Sequence, residues 1–178
     1  SEEVDGVDLD PELLEAGGAH FRRALVADAT VMNLHQRYER IIAPVSFIQI
    51  VPQERRGALL QRIRAHLAPG GLVAVDFMDL DDVSPGKGRT LRAYRSGILY
   101  AMGQRSATWT SPDVLRIAWD RSYWRAFRRR RLTPWTADYC RLDLATLSCE
   151  AAEHGFTVAD VVRLGDEHHA ESTIAILQ

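Results

Sequence analysis

The middle of the chain carries a helix between two short apolar strands, and this pattern restricts the fold more than any other feature. Gln53–Leu67 has apolar residues at helical spacing and most of its arginines outside that stripe, which predicts an amphipathic helix. The stripe consists of Leu59, Leu60, Ile63 and Leu67. Arg40–Ala43 and Leu72–Phe77 are predicted strands, the first apolar enough to be buried on both faces. Because a crossover helix usually joins parallel strands, we expect a parallel sheet here.

A second strand–helix–strand pattern lies at the start of the chain. Val4–Asp8 and Arg23–Ala27 are predicted strands. A helix between them begins at Asp10-Pro11, since aspartate caps free N–H groups and proline suits the first helical position. Two such units in succession are typical of an α/β domain.

The second half of the chain predicts a different arrangement. Segment 79–141 contains short aromatic and apolar stretches that favour antiparallel strands, and we expect a small insert that contacts substrate or mediates oligomerisation. Leu142–His154 resumes helical periodicity, and Phe156–Leu164 and Ser172–Leu177 are predicted closing strands. The sequence therefore predicts one α/β domain over residues 1–178, with 79–141 as its insert.

Composition narrows the classes of function. The 178 residues are 46% hydrophobic, enough for one globular core, and the formal net charge of −2 gives no general attraction to nucleic acid or anionic membrane. No apolar run is long enough to span a bilayer and no signal peptide is visible, so a cytoplasmic protein is expected. Cys140 and Cys149 match no zinc or redox spacing and are expected to be reduced thiols.

Two polar clusters have an ordinary and a functional interpretation. Arg125–Arg131 is interleaved with aromatic residues and could bind RNA or phosphates, but an exposed strand or an oligomer interface explains it better in a chain of balanced charge. His168-His169 could suggest a metal, yet adjacent histidines in a strand point apart. We expect no metal site, and nucleic-acid binding is disfavoured.

Two aspartates end neighbouring predicted strands. Asp8 could accept hydrogen bonds from the two hydroxyls of a ribose, because ligands of open α/β sheets bind beyond the carboxyl ends of strands. Asp28 could bind the exocyclic amine of an adenine, with the backbone N–H of Ala29 serving a ring nitrogen. The alternatives are a helix cap or solvated strand end for Asp8 and a turn aspartate for Asp28. Their equivalent positions strengthen the functional interpretation of both.

The ordered segments GVDLDPELLE, LVADAT, RYERIIAPVSFIQIV, LLQRIRAHLAPGGLVAVDF and LSCEAAEHGF resemble the class I S-adenosylmethionine-dependent methyltransferases. Within that family the chain is most similar to bacterial small-molecule enzymes of the glycine/sarcosine and amino-sugar N-methyltransferase type. The resemblance implies a Rossmann-like, mostly parallel twisted sheet with flanking helices and an antiparallel C-terminal strand. It also implies S-adenosylmethionine as methyl donor, S-adenosylhomocysteine as product and a small-molecule acceptor.

The resemblance assigns roles to particular residues. Asp8 would bind the ribose hydroxyls, with Leu9 packing against the adenine, and Asp28 with Ala29 would bind the adenine edge. The methyl-donor and acceptor region would be lined by Ala43, Pro44 and Ser46. Weaker candidates for acceptor contacts lie in the insert: Tyr94, Tyr100, Trp109 and Arg116.

No general base is assigned. Some relatives carry a histidine where this sequence has Ile50, and His35 is only a remote candidate for that role.

The family's first strand and its glycine-rich turn are expected before Val4 but are absent from this chain. In the family that strand is central, so its absence would leave two strand edges unpaired. Three explanations are open: a longer natural protein, a partner chain that supplies the strand, or a degenerate domain used for binding. If these residues are the whole protein, we expect weak affinity for S-adenosylmethionine.

The residues and the resemblance together favour methyl transfer to a small molecule by in-line displacement, with nitrogen slightly preferred over oxygen as acceptor. The alternative is a non-catalytic, methyltransferase-like module that binds a partner or forms homo-oligomers through the insert. A nucleic-acid methyltransferase is a third possibility and depends on Arg125–Arg131 alone.

Overall fold

The computed structural model describes residues 3–11, 14–15, 20–94, 99–125, 128–131, 133–166 and 169–178, with the side chains in 89–104, 121–132 and 165–171 excepted. The first strands are β1 (Asp5–Asp8), β2 (Arg23–Val26), β3 (Tyr38–Ala43) and β4 (Leu67–Met78). The insert contains β5 (Gly86–Tyr94), β6 (Leu99–Ser111), β7 (Val114–Arg125), β8 (Arg128–Arg131) and β9 (Trp135–Cys140). The closing strands are β10 (Val158–Asp166) and β11 (His169–Leu177), and the helices are α1 (Phe47–Ile50), α2 (Gln53–His66) and α3 (Leu144–Glu153).

The first two strands form a small parallel sheet of their own. Asp5 pairs with Arg23 and Asp8 with Val26, as expected for the first strand–helix–strand unit. Helical backbone is present at Pro11 and at 14–15, whereas the other predicted residues of this helix lie outside the described ones. On this sheet Phe21 lies over Gly6 so closely that a Cβ there would come within 2.9 Å of the ring. A side chain on Gly6 would therefore displace the ring.

The main sheet has four strands in the order β10-β11-β4-β3. β3 and β4 are parallel, while β11 is antiparallel to both β4 and β10. Val73 and Val75 on β4 are fully buried beneath the helices, where α2 contributes Leu59 and Leu60 and α3 contributes Leu147. The predicted α/β class with an antiparallel C-terminal strand is confirmed.

No loop separates α2 from β4, although the predicted helix ended at Leu67 and the predicted strand began only at Leu72. The chain enters β4 at Leu67, directly after the helix, and a register shift follows between Tyr38 and Arg40 on the neighbouring strand. Gly70 takes a left-handed φ of 74°. A Cβ on Gly71 would lie 2.9 Å from the carbonyl oxygen of Glu39. These two glycines allow the strand to bulge while it stays close to β3.

The insert forms an antiparallel sheet in which β6 and β7 are the longest partners and β9 pairs with β7. It has a second buried cluster, which contains Leu80, Val83, Ala107, Leu115, Ile117, Ala137 and Tyr139. Ile50 of α1 and Met78 of β4 pack against this cluster. The segment after β3 and the end of β4 therefore connect the main sheet to the insert.

The expected burial of β3 on both faces is wrong. Ile42 is 70% exposed, and Ala43 is the only residue of the strand in the buried class. Two causes are visible within the described residues. The outer edge of β3 has no strand partner, and both helices pack on the face that carries Val73. The opposite face leaves Leu72, Val162 and Leu164 exposed as well.

Candidate functional site

Two of the predicted cofactor residues, Asp8 and Asp28, lie at the carboxyl ends of β1 and β2. Asp8 is the last residue of β1, and its carbonyl oxygen accepts a hydrogen bond from the N–H of Ala27, 3.0 Å away. One Asp8 carboxylate oxygen accepts the backbone N–H of Asp10 at 2.9 Å, which fixes the side chain at the strand end. Leu9 is 68% exposed beside it. An exposed carboxylate next to an exposed apolar side chain suits a ribose attached to a flat aromatic base.

Asp28 lies two residues beyond β2 and is held by neighbours. Its Oδ1 accepts hydrogen bonds from the backbone N–H and the hydroxyl of Thr30, at 2.9 and 2.7 Å. Its Oδ2 accepts Nη2 of Arg55 at 2.7 Å. These bonds, that of Arg55 first, lower the pKa of Asp28 to about 2, so it is ionised at neutral pH. Ala29 is half-buried and packs on the main core.

The turn after β3 has an unusual backbone. Val45 and Ser46 take left-handed φ values of 58° and 54°, which is uncommon for residues with a Cβ and especially for a β-branched one. Ala43 and Ser46 are buried, Pro44 is exposed, and Val45 is 74% exposed. The N–H of Ser46 donates to Oδ2 of Asp76 at 3.1 Å, and the Ser172 hydroxyl donates to Oδ1 of that aspartate. Asp76 thus anchors the turn to the main sheet.

Gln49 is a positioning residue that the sequence analysis missed. Its side chain is fully buried and binds both backbone groups of Met78, accepting the N–H at 2.9 Å and donating to the carbonyl at 3.0 Å. It also donates to the carbonyl oxygen of Cys140 at 3.4 Å. One glutamine therefore connects α1, the end of β4 and the end of β9. A single amide within the apolar run SFIQIV was the available signal.

A charged cluster ties the two sheets together at the opposite, amino ends of the strands. The Asp5 carboxylate, 2% exposed, accepts hydrogen bonds from Arg22, Arg23 and the hydroxyl of Tyr38. Gln36 binds both arginines. The hydrogen bonds from Arg22 and Arg23 hold the pKa of Asp5 well below its usual range. Because Tyr38 begins β3, this cluster links β1 to β3 without a shared strand ladder.

The structure gives the remaining candidates other locations or other contacts. His35 is exposed and precedes Tyr38, at the amino end of β3, which is a poor location for a base that acts at the carboxyl ends. Ile50 packs against the second core. Arg116 is paired with Asp138 inside the insert sheet at 2.7 and 2.8 Å. Trp109 lies under the guanidinium of Arg141, 5.0 Å from the ring centre.

Some predictions fall on side chains outside the described ones. This group contains the side chains of Tyr94, Tyr100, Arg125–Arg131 and His169. Residue His168 lies outside the described residues altogether.

Within the described part of the insert, a cavity of about 250 Å³ lies between two tryptophans. Its lining includes Lys87, Trp119, Asp120 and Trp135.

The described residues lack a membrane-spanning helix and a metal-binding cluster. None of their helices is both long and apolar enough to cross a membrane. No group of three or more histidine, cysteine, aspartate or glutamate side chains among them is placed to hold a metal ion.

Comparison with known proteins supports the fold. No protein-family model matches the sequence, and no curated protein does. A solved S-adenosylmethionine-dependent methyltransferase from Clostridium acetobutylicum ATCC 824 is 13% identical, with a TM-score of 0.79 over 99% of this chain and 75% of that one. An S-adenosylmethionine-bound amino pentose methyltransferase from Micromonospora echinaspora is 16% identical, with a TM-score of 0.68 over 97% and 73%.

A sugar N-methyltransferase from Streptoalloteichus sp ATCC 53650 is 14% identical, with a TM-score of 0.69 over 97% of this chain and 70% of that one. At these identities the likeness shows a shared fold. The chain therefore has the Rossmann-like fold of S-adenosylmethionine-dependent methyltransferases.

Proposed function

We propose that this protein binds S-adenosylmethionine at the carboxyl ends of β1, β2 and β3 and transfers its methyl group to a small-molecule acceptor. The observation that carries the proposal is the pair of ionisable carboxylates, Asp8 and Asp28, at adjacent ends of two parallel strands. Asp8 would accept hydrogen bonds from the ribose hydroxyls, and Asp28 would accept one from the adenine amine. Leu9 and Val31, both 68% exposed, would pack on the faces of the purine.

The residues at these strand ends fit an adenosine. Each carboxylate has acceptor capacity beyond the bonds it makes within the protein, and the adjacent apolar side chains are exposed. When bound, S-adenosylmethionine supplies an activated methyl group on its sulfonium. The protein's task is then to orient the acceptor in line with that methyl, which supplies much of the rate.

The strained turn after β3 is our candidate for the place where acceptor and methyl donor meet. Pro44 and Val45 are exposed there, and the buried Ser46 is held by Asp76. A rigid turn excludes alternative acceptor positions, which favours near-attack geometry. Nitrogen is preferred over oxygen as acceptor in this proposal, because proteins of similar fold include a sugar N-methyltransferase and a methyltransferase that acts on an amino pentose. The insert is the proposed source of further acceptor contacts.

The test is calorimetric titration with S-adenosylhomocysteine, carried into the millimolar range so that weak binding is measured. We expect saturable binding that S-adenosylmethionine displaces. Asp8→Asn should weaken it by about tenfold or more, since hydrogen bonds to a charged acceptor contribute about 1.5–3 kcal/mol. Asp160→Asn, on the exposed part of β10, is the matched control and should bind as the wild type does.

Absence of binding to the wild type would overturn the proposal. Equal affinity in the wild type and Asp8→Asn would show that the ligand binds elsewhere. Incubation with S-adenosylmethionine and a panel of amino sugars, amino acids and hydroxylated analogues, followed by mass spectrometry, tests the acceptor class. A product heavier by one methyl group on an amine supports the nitrogen preference, and one on a hydroxyl contradicts it.

A further inference from the structure

The contacts of Asp28 define a three-residue unit, which we call the Asp28 clamp: Asp28, Thr30 and Arg55. Thr30 is 5% exposed and donates both its backbone N–H and its hydroxyl to Oδ1. Arg55 donates Nη2 to Oδ2 and also contacts the Thr30 hydroxyl through that nitrogen. The clamp connects the loop after β2 to the first turn of α2, which starts at Gln53. Two elements distant in sequence therefore fix one carboxylate.

The clamp determines where a ligand can donate to Asp28. A carboxylate has about four acceptor positions, two on each oxygen. Thr30 uses two positions on Oδ1, and Arg55 uses one on Oδ2. Among the described residues no second donor binds Oδ2, so one position is open to a ligand, and the Asp28 side chain is 30% exposed. A ligand N–H would complete the set, whereas a ligand carbonyl oxygen would meet a negative oxygen and be repelled.

The ion pair itself adds little to stability. Its side chains are 48% and 30% exposed, and pairs this accessible to water contribute little. What Arg55 supplies is orientation, because without it only Thr30 would hold the carboxylate and Oδ2 could rotate away from the ligand. Arg55 also helps to keep the pKa of Asp28 at about 2. The carboxylate is therefore ionised at neutral pH and can only accept hydrogen bonds.

We propose that Arg55 and Thr30 are positioning residues that make this site selective for a 6-amino purine over a 6-oxo purine, by holding Asp28 with one acceptor position facing the base. The inference rests on the proposed function and extends it to residues that touch no substrate. The alternative is that Arg55 blocks the site by competing with the ligand for Asp28. Our proposal is the opposite: Arg55 supports ligand binding.

The experiment compares two probes, S-adenosylhomocysteine and its deaminated analogue S-inosylhomocysteine, which carries a carbonyl in place of the amine. The quantity measured is the ratio of their dissociation constants by calorimetry. We expect the wild type to prefer the adenine form by about tenfold or more, since a site built for a donor rejects an analogue that lacks it. Arg55→Gln and Thr30→Val should each lower this ratio by about threefold to tenfold.

Two further variants control for structural effects. Arg55→Lys retains the charge without the planar fork and should restore part of the selectivity. Arg62→Gln, on the same helix, should leave the ratio unchanged. Thermal unfolding of every variant shows whether it is folded, and the ratio of two affinities in one preparation does not depend on the fraction of folded protein.

The outcomes separate the two proposals. If the wild type binds neither probe, the proposed function is overturned, and the clamp's role with it. If the wild type binds S-adenosylhomocysteine and Arg55→Gln keeps the full selectivity ratio, the clamp inference alone is wrong. Tighter binding of S-adenosylhomocysteine by Arg55→Gln would show that Arg55 competes with the ligand, which also overturns the inference.

Discussion

Two parallel strand pairs in the described part of the chain are held in opposite ways. In the β3–β4 pair, Val73 and Val75 are fully buried under two helices, so the pair is stabilised by apolar contacts. In the β1–β2 pair Gly6 is the only residue of the buried class, and the amino ends are fixed by the Asp5 cluster. Two parallel strand pairs of one chain are therefore stabilised differently, depending on what lies over each strand.

This difference matters for the site, because Asp8 and Asp28 belong to the weakly buried pair while Asp76 and Gln49 act from the main sheet. The cofactor side of the proposed site is thus built on the part of the molecule with few apolar contacts. Such regions open locally more readily than a packed core. We expect ligand binding to stabilise β1–β2 more than β3–β4.

The largest expected effect comes from the core under the main sheet. Leu60→Ala removes a fully buried side chain of α2 and should lower the free energy of unfolding by about 2–5 kcal/mol, because it leaves a cavity. Urea unfolding monitored by circular dichroism measures it. Leu164→Ala is the matched control, since Leu164 is 52% exposed, and should change stability by less than about 0.5 kcal/mol. Equal losses in the two variants would contradict the assignment of the core to one face.

A smaller effect is expected at the joint between the main sheet and the insert. Gln49→Leu keeps the size of the side chain but leaves the N–H and carbonyl of Met78 without their partner. The loss should be about 1–3 kcal/mol, the cost of an unsatisfied buried polar group. The exposed Gln53→Leu is the matched control for the same chemical change. If Gln49→Leu were as stable as the wild type, the buried amide would not be needed to join the two parts.

The smallest global effect is expected from the Asp5 cluster. Asp5→Asn removes the charge that Arg22, Arg23 and Tyr38 share. Amides of β1 and β2 should exchange hydrogen faster than in the wild type, while those of β4 and β11 should be unchanged. The Tm should fall by no more than about 2–4 °C. Asp8→Asn, at the exposed end of the same strand, is the control and should leave exchange at the amino end unaffected.

The pH dependence of this variant provides a second test. The folded pKa of Asp5 is lowered, so its contribution to stability is complete above about pH 5 and declines as pH falls through the unfolded value of about 3.9. The difference in Tm between wild type and Asp5→Asn should therefore shrink between about pH 5 and pH 2. A difference that stays constant over this range would mean that the carboxylate charge is not what holds β1–β2.

The positions of some candidate site residues at strand ends could be predicted from sequence because their signals are local. Asp8 ends one short predicted strand and Asp28 follows another, and the carboxyl ends of parallel strands are where α/β sheets bind ligands. The contacts of Gln49, Asp76 and Arg55 could not be predicted in this way. Each binds a group 25 or more residues away in the chain, such as Gln49 to Met78 and Arg55 to Asp28. A single sequence does not indicate which residues at such separations come into contact.

The sequence by itself determined the alternation of strands and helices, the antiparallel character of the insert and the two strand-end aspartates, because these depend on periodicity and neighbouring residues. Only the tertiary structure decided that Ile42 is exposed, that the turn at Val45 and Ser46 is left-handed and that Arg55 binds Asp28. Burial and hydrogen-bond partners depend on which surfaces lie opposite one another. That is a property of the folded chain, and local sequence constrains it weakly.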